Sequence, residues 1–405
     1  MSWSSPTLPT KRGEDRRGPA SGEAVFVGAL ALLLATGWVA NHFVALMPVI
    51  SERQHLSAAA IDAIFGIYAL GLLPGLLVGG RASDSFGRPS VAFAGSATSL
   101  VATLAMLISQ QSDVLLAGRL IVGVGVGLTM SSCTAWVSDL KGPAGAATGG
   151  AVMTAGFAIG PFGAAGIVRV GESGIRVSFG IAAAVVVAAM VITVAAMQRA
   201  DVTAPATAPD SQRSESAPQG AVQALSWALP LAPWVFASAT LGFITIPTRV
   251  HVGLAAPLAA GTATLLVNGV SAVIQVVARA GSWGPQTGTV GAALAAVGYA
   301  ATAAAPPTMP LALGLPLLIV LGCAAGLCLR EGLIDLEVAA PQRVRGALTG
   351  AFYVLTYLGF GLPLLLTVVG SPKASAIILA AMAALASLTA VSRAVRLRRD
   401  SHRQN

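Results

Sequence analysis

The stretch Gly79–Ser90, GGRASDSFGRPS, decides the fold of this chain. It is rich in glycine and charge, and it lies between two apolar segments that are each long enough to form a membrane-spanning helix. Glycine allows the chain to leave a helix, and Arg81, Asp84 and Arg88 would each cost about 3 kcal/mol at the centre of a bilayer. The stretch therefore predicts a tight turn in water at a membrane surface.

The composition indicates an integral membrane protein. Of the 405 residues, 55% are hydrophobic and only 10% are charged, and the mean hydropathy of +0.78 excludes a soluble globular domain. A helix needs about 20 apolar residues to cross the hydrocarbon core, and the absence of strand-like alternation leaves helices as the only spanning structure. Twelve such segments are present, at residues 24–49, 58–79, 91–109, 113–137, 147–168, 175–197, 224–246, 257–277, 289–304, 311–329, 347–369 and 374–391.

Polar stretches divide the chain into five parts. The first apolar run follows a basic arm, as in a signal peptide, but it is too long and eleven more follow, so we expect it to be retained. Three cysteines, Cys133, Cys323 and Cys328, fall inside apolar segments and predict packing rather than disulfides or a metal site. The five predicted parts are a disordered basic arm (1–23), a six-helix bundle (24–197), a linker (198–222), a second six-helix bundle (223–392) and a basic tail (393–405).

The distribution of positive charge predicts the topology. A net charge of +8 could indicate nucleic-acid binding, but with the N-terminus inside, 18 of the 24 Lys and Arg residues fall in cytoplasmic segments, five fall outside and Arg119 falls within a helix. This bias is typical of membrane topology. We therefore expect a multi-pass protein of the inner (plasma) membrane, with both termini cytoplasmic and no nucleic-acid partner.

An internal repeat supports two equivalent halves. At a shift of 201 residues, Gly145–Gly149 aligns with Gly346–Gly350, and Gly160 aligns with Gly361. The match places segment 5 opposite segment 11, at corresponding points of the two bundles. Parallel repeats about an axis along the membrane normal occur in known membrane folds.

Segment 4 contains an arginine at membrane depth, at the start of the motif RLIVGVGVG that runs from Arg119 to Gly127. Arginine keeps its charge, and this one lies about six residues, roughly 9 Å, inside the outer end of its helix. It must face protein or water, and the alternative is an arginine that snorkels to the interface. The glycines thin the helix for close packing. A dinucleotide-binding loop is excluded because no strand precedes the motif.

Segment 5 contains GFAIGPFGAAG, with Gly156, Gly160, Pro161 and Gly163. Proline removes a helical hydrogen bond, and glycines permit a bend. We therefore expect a kinked helix that packs closely near its outer half.

These motifs, taken in order, resemble the signatures of the major facilitator superfamily (MFS). The opening stretch fits G-x-x-x-D-x-x-G-R with Gly80, Asp84, Gly87 and Arg88, and it is similar to the family's loop between helices 2 and 3. The segment-4 motif resembles a signature of proton-coupled members, and the segment-5 motif looks like that of the drug/proton antiporters. The resemblance implies an all-α membrane fold of twelve transmembrane helices in two pseudo-symmetric six-helix bundles.

The resemblance also implies a latch at the cytoplasmic face. In the family, an acid at the end of helix 4 joins the loop Asp and Arg and holds the halves together in the outward-open state. Carried over by position, the cluster is Asp84, Arg88 and Asp139, with Asp84 facing the positive start of helix 11 near Gly346. The alternative is a set of solvated loop charges that contribute little energy.

Proton coupling needs a group that changes protonation inside the protein. The candidates are His42 in the outer third of segment 1, Asp62 at the outer start of segment 2, and Arg119 at the depth of His42. Histidine titrates near pH 6.5 in water, although a lone helical histidine is often a packing residue. Helices 1 and 4 carry no acid at mid-membrane depth, unlike those of many multidrug antiporters.

The substrate cavity is expected between the halves near the midplane. Segment 8 carries a polar stripe at helical spacing, Thr264, Asn268, Ser271 and Gln275, which lipid would not tolerate. Polar neutral groups among aromatic rings suit an amphipathic, weakly charged organic ligand. The candidate cavity residues are Asn41, Asn268, Gln275, Tyr353, Tyr357 and Trp234.

The sequence and the resemblance together favour a proton-coupled secondary transporter that exports a drug or metabolite by alternating access. One alternative is a uniporter or proton symporter that imports a small organic anion held by Arg119, and another is a non-transporting sensor or scaffold with the same fold. Enzyme chemistry, cofactors and metals are not expected, because no nucleophile–base pair or metal-ligand spacing appears. The expected partners are a small molecule, protons and the lipid bilayer, and the expected state is a monomer.

Overall fold

The computed structural model describes residues 19–171, 173–201, 218–250, 253–339 and 342–404. Within these ranges, 12 helices are long and apolar enough to cross a membrane, which confirms the predicted fold class. They are α1 (Gly22–Gln54), α2 (Ala58–Phe86), α3 (Arg88–Ile108), α4 (Ser112–Gly142), α5 (Thr148–Ile167), α6 (Gly174–Ala200), α7 (Gly220–Arg249), α8 (Ala256–Ala280), α9 (Thr287–Ala304), α10 (Leu311–Ala339), α11 (Leu348–Val369) and α12 (Pro372–Asp400). We call the face that carries the loops after α1 and α11 the outer face, following the charge count, and the opposite face the inner face.

Several helices extend beyond the predicted apolar segments. The first helical residue is Pro19, so most of the predicted arm lies outside the described residues, as does 202–217 of the predicted linker. The last helix continues to Gln404, which makes the predicted basic tail a helical continuation of α12. Charged residues can continue a helix past the hydrocarbon, and hydropathy alone therefore ends these helices too early.

The prediction of a tight turn over Gly79–Ser90 is wrong in extent. Helix α2 continues to Phe86, and the chain turns at Gly87 alone, whose φ of 88° lies in the left-handed region. Gly79 stays helical because it packs on α4, where an added Cβ would lie 3.0 Å from Leu128 Cα. Its role is close packing, and a single glycine is sufficient for the turn.

Glycines place α2 directly against α4. An added Cβ on Gly71 or Gly75 would strike the α4 backbone, and one on Gly123 or Gly127 would strike α2. The four-residue spacing puts each pair on one helical face. Gly125 lies on a different face and packs against α3 at Ser99 and Gly95. The alternating glycines of α4 therefore serve two neighbours.

The segment-5 glycines place α5 against α1. Gly156 contacts the α1 backbone at Gly37, and Gly160 and Gly163 pack against Trp38, with the nearest atoms about 3.0 Å from an added Cβ. The expected close packing is present. Helix α5 stays helical through Pro161, so the proline does not interrupt it. The backbone leaves the helical conformation at Lys141 and Gly142 instead, at the end of α4.

Three helices are irregular at depth. Helix α1 is interrupted at His42, α7 has a π-helical turn at Leu241–Thr245, and α11 has a 3₁₀ turn at Leu358–Gly361. The last two meet, since Thr240 Oγ1 donates a hydrogen bond to Gly359 O at 3.0 Å. Irregular turns inside membrane helices occur at functional positions more often than regular α-helical turns do.

The contacts between the two halves include α5 with α8, the outer part of α1 with α8, and α2 with α11. At the outer end of the first contact, Gly261 packs against Pro161 and Ala165. In the contact of α2 with α11, Leu77 Cδ2 lies 3.3 Å from the position of a Cβ on Gly350. At these two points a glycine on one half receives the chain of the other half at short distance.

The α2–α4 packing gives a stability prediction. Gly127→Ala would place a methyl group 2.7 Å from Leu76 N, and overpacking of this kind costs about 1–3 kcal/mol. We expect a lower apparent melting temperature and a poorer monodisperse peak in detergent. Gly269→Ala on α8 is the matched control, because a Cβ there meets no atom within 4 Å. Equal stability of the two variants would contradict the glycine interface.

Candidate functional site

An aromatic layer lies between the two halves in their outer part. Phe360 stacks on Phe65 at 5.2 Å and lies 5.9 Å from Tyr68, ring centre to ring centre. Phe236 stacks on Tyr357 at 4.4 Å. The layer consists of Phe65 and Tyr68 from α2, Phe236 and Phe243 from α7, and Tyr357 and Phe360 from α11.

The layer is closed in this conformation. Tyr357 is 1% exposed, and its hydroxyl donates to Met130 Sδ on α4 at 3.7 Å, across the halves. Phe65 also lies edge-on to Phe243 at 6.5 Å. A molecule that crosses between the halves has to displace these rings.

A buried carboxyl group bridges the halves on the outer side of the layer. Asp62 is 7% exposed, and Thr367 Oγ1 on α11 lies 2.6 Å from Asp62 Oδ2. Asp62 and Phe65 are three residues apart and share a face of α2. The carboxyl contact and the aromatic contact with α11 are therefore made by one helical face.

Arg119 is enclosed inside the first half. It lies on the same face of α4 as Gly123 and Gly127, because these residues are four apart, and this face meets α2. The side chain is 1% exposed, which excludes the snorkelling alternative. Nη1 donates to Ala40 O beside the interruption of α1 at 3.0 Å.

Arg119 is surrounded by rings instead of carboxylates. Its guanidinium carbon lies 4.6 Å from the ring centre of Tyr68, 4.9 Å from that of Phe43 and 5.8 Å from that of Phe65. Nε and Nη2 have no hydrogen-bond acceptor among the described residues. Cation–π contacts contribute about 2 kcal/mol each when desolvated, whereas an uncompensated buried charge costs on the order of 3–5 kcal/mol.

His42 and Asn41 occupy the interruption of α1. His42 is 1% exposed, and its Nδ1 lies 3.2 Å from Trp38 O and 3.1 Å from Val39 O, so Nδ1 carries the hydrogen. Nε2 has no partner within the described residues, and the ring lies edge-on to Phe179 of α6. Asn41 Nδ2 donates to Phe157 O of α5 at 3.2 Å. Both side chains face the interior of the first half.

The predicted inner-face cluster is assembled. Arg88 pairs with Asp84 at 2.5 Å and with Asp139 at 2.9 Å, and it donates to Ser83 Oγ at 2.7 Å. All four residues belong to the first half. The Asp84 and Asp139 side chains are 64% and 57% exposed, so these pairs contribute little to stability, and a latching role stays a prediction. The side chains around Gly346, the expected neighbour of Asp84, lie outside the described residues.

The cavity candidates divide into three groups. Tyr357 belongs to the aromatic layer, and Tyr353 lies beside it at 6.4 Å. Asn268 is 8% exposed on the face of α8 that Gly261 turns toward α5, and its Nδ2 has no partner among the described residues. Gln275 bonds back to Ser271 O of its own helix. Trp234 packs inside the second half, against Tyr299, and donates to Thr389, so it does not line the interface.

The comparison with protein families decides the identity. A family model described as Major Facilitator Superfamily matches residues 26–364. The chain belongs to the major facilitator superfamily. This membership confirms the resemblance predicted from the sequence motifs.

Individual relatives of this superfamily member match over short stretches. A 3-(3-hydroxy-phenyl)propionate transporter of Escherichia coli (strain K12) is 33% identical over 111 residues, which are 27% of this chain and 28% of the relative. Multidrug resistance protein MdtL of Shigella flexneri serotype 5b is 31% identical over 99 residues, 24% of this chain and 25% of the relative. The alignments therefore span about a quarter of the length of each relative.

A solved structure has the same fold along nearly the whole length of this chain. A peptide transporter POT in complex with sulfate superposes with a TM-score of 0.72 at 15% identity, and the match covers 96% of each chain. Identity at this level establishes the architecture alone.

The second half of the protein contains a buried cluster of charged side chains that the sequence did not predict. Arg393 donates to Asp335 Oδ2 at 2.7 Å, to Glu331 Oε1 at 3.4 Å and to Trp227 O at 3.0 Å. Arg330 pairs with Glu331 at 3.5 Å. The cluster joins α7, α10 and α12. The predicted apolar segments end at residue 329 for α10 and at residue 391 for α12. Glu331 and Asp335 were therefore expected in a loop, and Arg393 was expected in the tail.

The missed interface residues have weak sequence signals. Phe65 and Tyr68 lie on one face of α2 at a spacing of three, which is equally typical of core packing. Phe360 and Thr367 lie in an apolar helix without a motif. Their partners are 295 and 305 residues away in the chain, and local patterns do not indicate such contacts.

The ion cluster gives a stability prediction for this transporter. Arg393→Met removes the main partner of two buried carboxylates, and a buried pair broken on one side costs about 3–5 kcal/mol. The triple variant Arg393→Met/Glu331→Gln/Asp335→Asn removes the uncompensated charges, so it should recover most of the loss. Melting temperatures in detergent measure both variants. A single variant as stable as the wild type would exclude a structural role for the cluster.

Proposed function

We propose that this superfamily member is a proton-coupled secondary transporter that exports a small amphipathic organic molecule by alternating access. The observation that carries the proposal is the contact of Asp62 with Thr367, because it joins a buried titratable group to the closed outer side of the interface. The aromatic layer directly below it suits a ligand with an apolar, ring-bearing body. A multidrug resistance protein among the short-stretch relatives is consistent with export.

Counting hydrogens links the contact to proton binding. The Thr367 hydroxyl has one hydrogen, yet its oxygen lies 2.6 Å from Asp62 Oδ2 and 2.9 Å from Pro363 O. When Asp62 is ionised, this one hydrogen must serve both acceptors. When Asp62 is protonated, the carboxyl donates to Thr367, and Thr367 donates to Pro363. The closed outer side is therefore fully bonded only with a proton on Asp62.

Because proton loss is coupled to opening of the outer side, substrate is exchanged for protons. Loss of the proton from Asp62 weakens the contact with α11 and, through the shared face of α2, the Phe65–Phe360 stack. The outer side then opens and releases the substrate. A proton from outside restores the bond and closes it. Coupling of this kind makes outward substrate movement depend on inward proton movement.

The remaining assignments complete the proposal. The exposed cluster of Asp84, Arg88 and Asp139 acts as a latch at the inner face, with both termini on that side, in the inner membrane. The transporter works as a monomer, because each chain contains both halves of the interface. Gly80 and Gly87 set the end of α2 that carries the latch, and only Gly87 has a positive φ.

Import of an organic anion is a second candidate. It is favoured by the uncompensated charge of Arg119, and one short-stretch relative is named as a transporter of 3-(3-hydroxy-phenyl)propionate. Right-side-out proteoliposomes in an acidic bath separate the two directions. If the protein exports, substrate preloaded into the vesicles should leave them faster than it does at equal pH. If the protein imports, substrate added to the bath should accumulate inside the vesicles.

The role of Asp62 is tested with Asp62→Asn. The amide donates to Thr367 as a protonated carboxyl would, but it cannot release a proton. We expect loss of both pH-gradient-driven transport and energy-independent counterflow, because the outer side stays closed, with thermal-shift binding of the same substrate retained. The substrate is selected beforehand by a thermal-shift screen of aromatic compounds with the wild type. Gradient-driven transport at the wild-type rate in Asp62→Asn would refute the assignment.

Thr367→Val is the companion variant, since it keeps the carboxyl group and removes its partner. Loss of one hydrogen bond costs about 1 kcal/mol, so the outer side should open about fivefold more often. Hydrogen exchange of the outer ends of α2 and α11 measures this opening. Unchanged exchange would show that the bond does not hold the outer side closed.

A further inference from the structure

Arg119 lies in a site that has an excess of hydrogen-bond donors. Its Nε and Nη2 have no acceptor among the described residues, and the Tyr68 hydroxyl beside it is also without a partner there. Arg119 and Tyr68 can both donate through these atoms, whereas the unpartnered Nε2 of the neighbouring His42 can only accept. Donors therefore outnumber acceptors, and the complementary ligand is rich in acceptors.

The ion pairs of the described residues do not include Arg119. Asp62, one turn from Phe65 on α2, is engaged with Thr367 on the other half. The nearest titratable neighbour from α1 is His42, whose Nδ1–H is directed at its own helix. From α2 it is Tyr68, a neutral phenol. The positive charge of Arg119 is thus not balanced by any carboxylate among the described residues.

Arg119 also lies directly behind the aromatic layer. Tyr68 and Phe65 cover its guanidinium on one side and contact Phe360 of the second half on the other. Once α2 separates from α11, rotation of the Phe65 and Tyr68 side chains away from Arg119 would uncover a planar cation with two free N–H groups next to aromatic rings. A carboxylate matches this arrangement, because a guanidinium binds it through two parallel hydrogen bonds.

We propose that the transported molecule is an organic monoanion, whose carboxylate pairs with Arg119 and whose ring-bearing body lies among Phe65, Tyr68 and Phe360. This inference rests on the proposed transport function and specifies its substrate class. A lysine would supply only a point charge, whereas the fork of arginine fixes the orientation of the carboxylate.

The charge of the substrate has an energetic consequence. Export of a monoanion in exchange for one proton moves two charges in the same electrical sense, so an inside-negative membrane potential and a proton gradient both drive it. Import of the same anion together with one proton moves no net charge. The dependence on membrane potential therefore distinguishes the two directions for this substrate class.

The test uses ligands that differ only in charge. The probes are 4-phenylbutyrate, its primary amide and 4-phenylbutylamine, together with two further carboxylate–amide–amine sets built on larger rings. Binding to the purified full-length protein is measured by thermal shift and by equilibrium dialysis. We expect the carboxylate of at least one set to bind and the matched amide and amine to bind about 30-fold more weakly or not at all.

Variants assign the effect to Arg119. Arg119→Gln should weaken carboxylate binding by about 30-fold or more, and Arg119→Lys should retain part of it. Arg279→Gln is the control, because it also removes one positive charge but from an exposed position at the inner end of α8; its binding should equal that of the wild type. If Arg119→Gln does not fold, binding of the same ligand sets to the wild type and to Arg119→Lys tests the role of Arg119 instead.

Several outcomes would overturn the proposal. These are amide or amine binding as tight as that of the carboxylate, no carboxylate binding in any set, or unchanged carboxylate binding in Arg119→Gln. Transport of only neutral or cationic compounds in proteoliposomes would leave the transport function intact and refute the anion site. Carboxylate binding that depends on Arg119 but never leads to transport would refute the transport function and leave the anion site intact.

Discussion

The close contact of α2 with α4 is the constraint on which the rest of this structure depends. Gly71 and Gly75 on one helix and Gly123 and Gly127 on the other let the two backbones approach closely. Because the backbones meet there, the residues one turn away are forced into the same region. Arg119 precedes Gly123 by one turn, and Tyr68 precedes Gly71 by about one turn, so the cation and the phenol ring meet. The glycines therefore determine where the charge lies.

Helix α2 connects three levels of the protein in one rigid element. Asp62 lies near its outer end, Phe65 and Tyr68 lie about 5 and 9 Å further in at 1.5 Å per residue, and Asp84 lies at its inner end. From Asp62 to Asp84 the helix spans roughly 33 Å, at 1.5 Å per residue, which is about the thickness of the hydrocarbon core. A helix anchored on α4 and touching α11 through polar and aromatic contacts can separate from α11 without losing its own support. This asymmetry between dry glycine packing and separable side-chain contacts is what alternating access requires.

The sequence predicted the parts of this protein whose signals are local. The number of helices follows from apolar runs, and the enclosure of Arg119 follows from the cost of a charge in hydrocarbon. Contacts between the halves, such as Asp62 with Thr367, were not predictable, because each residue alone is an ordinary member of its helix. Trp234 was misassigned for a related reason. A large aromatic residue near the midplane is compatible with either face of α7, and only the packing with Tyr299 and Thr389 shows which face it occupies.

The two buried arginines of this transporter show why burial alone does not identify a functional charge. Arg393 is 3% exposed and has two carboxylates, a backbone carbonyl and the ring of Trp227 around it. Its charge is balanced within the protein, so the cluster fixes α7, α10 and α12 together, away from the interface of the halves. Arg119 is 1% exposed and has one carbonyl and three rings. The same residue type at similar burial differs in whether the protein supplies the counter-charge. Where it does not, and where the site lies behind a separable aromatic layer, a ligand that brings the missing charge gains more binding energy than a neutral one of the same shape.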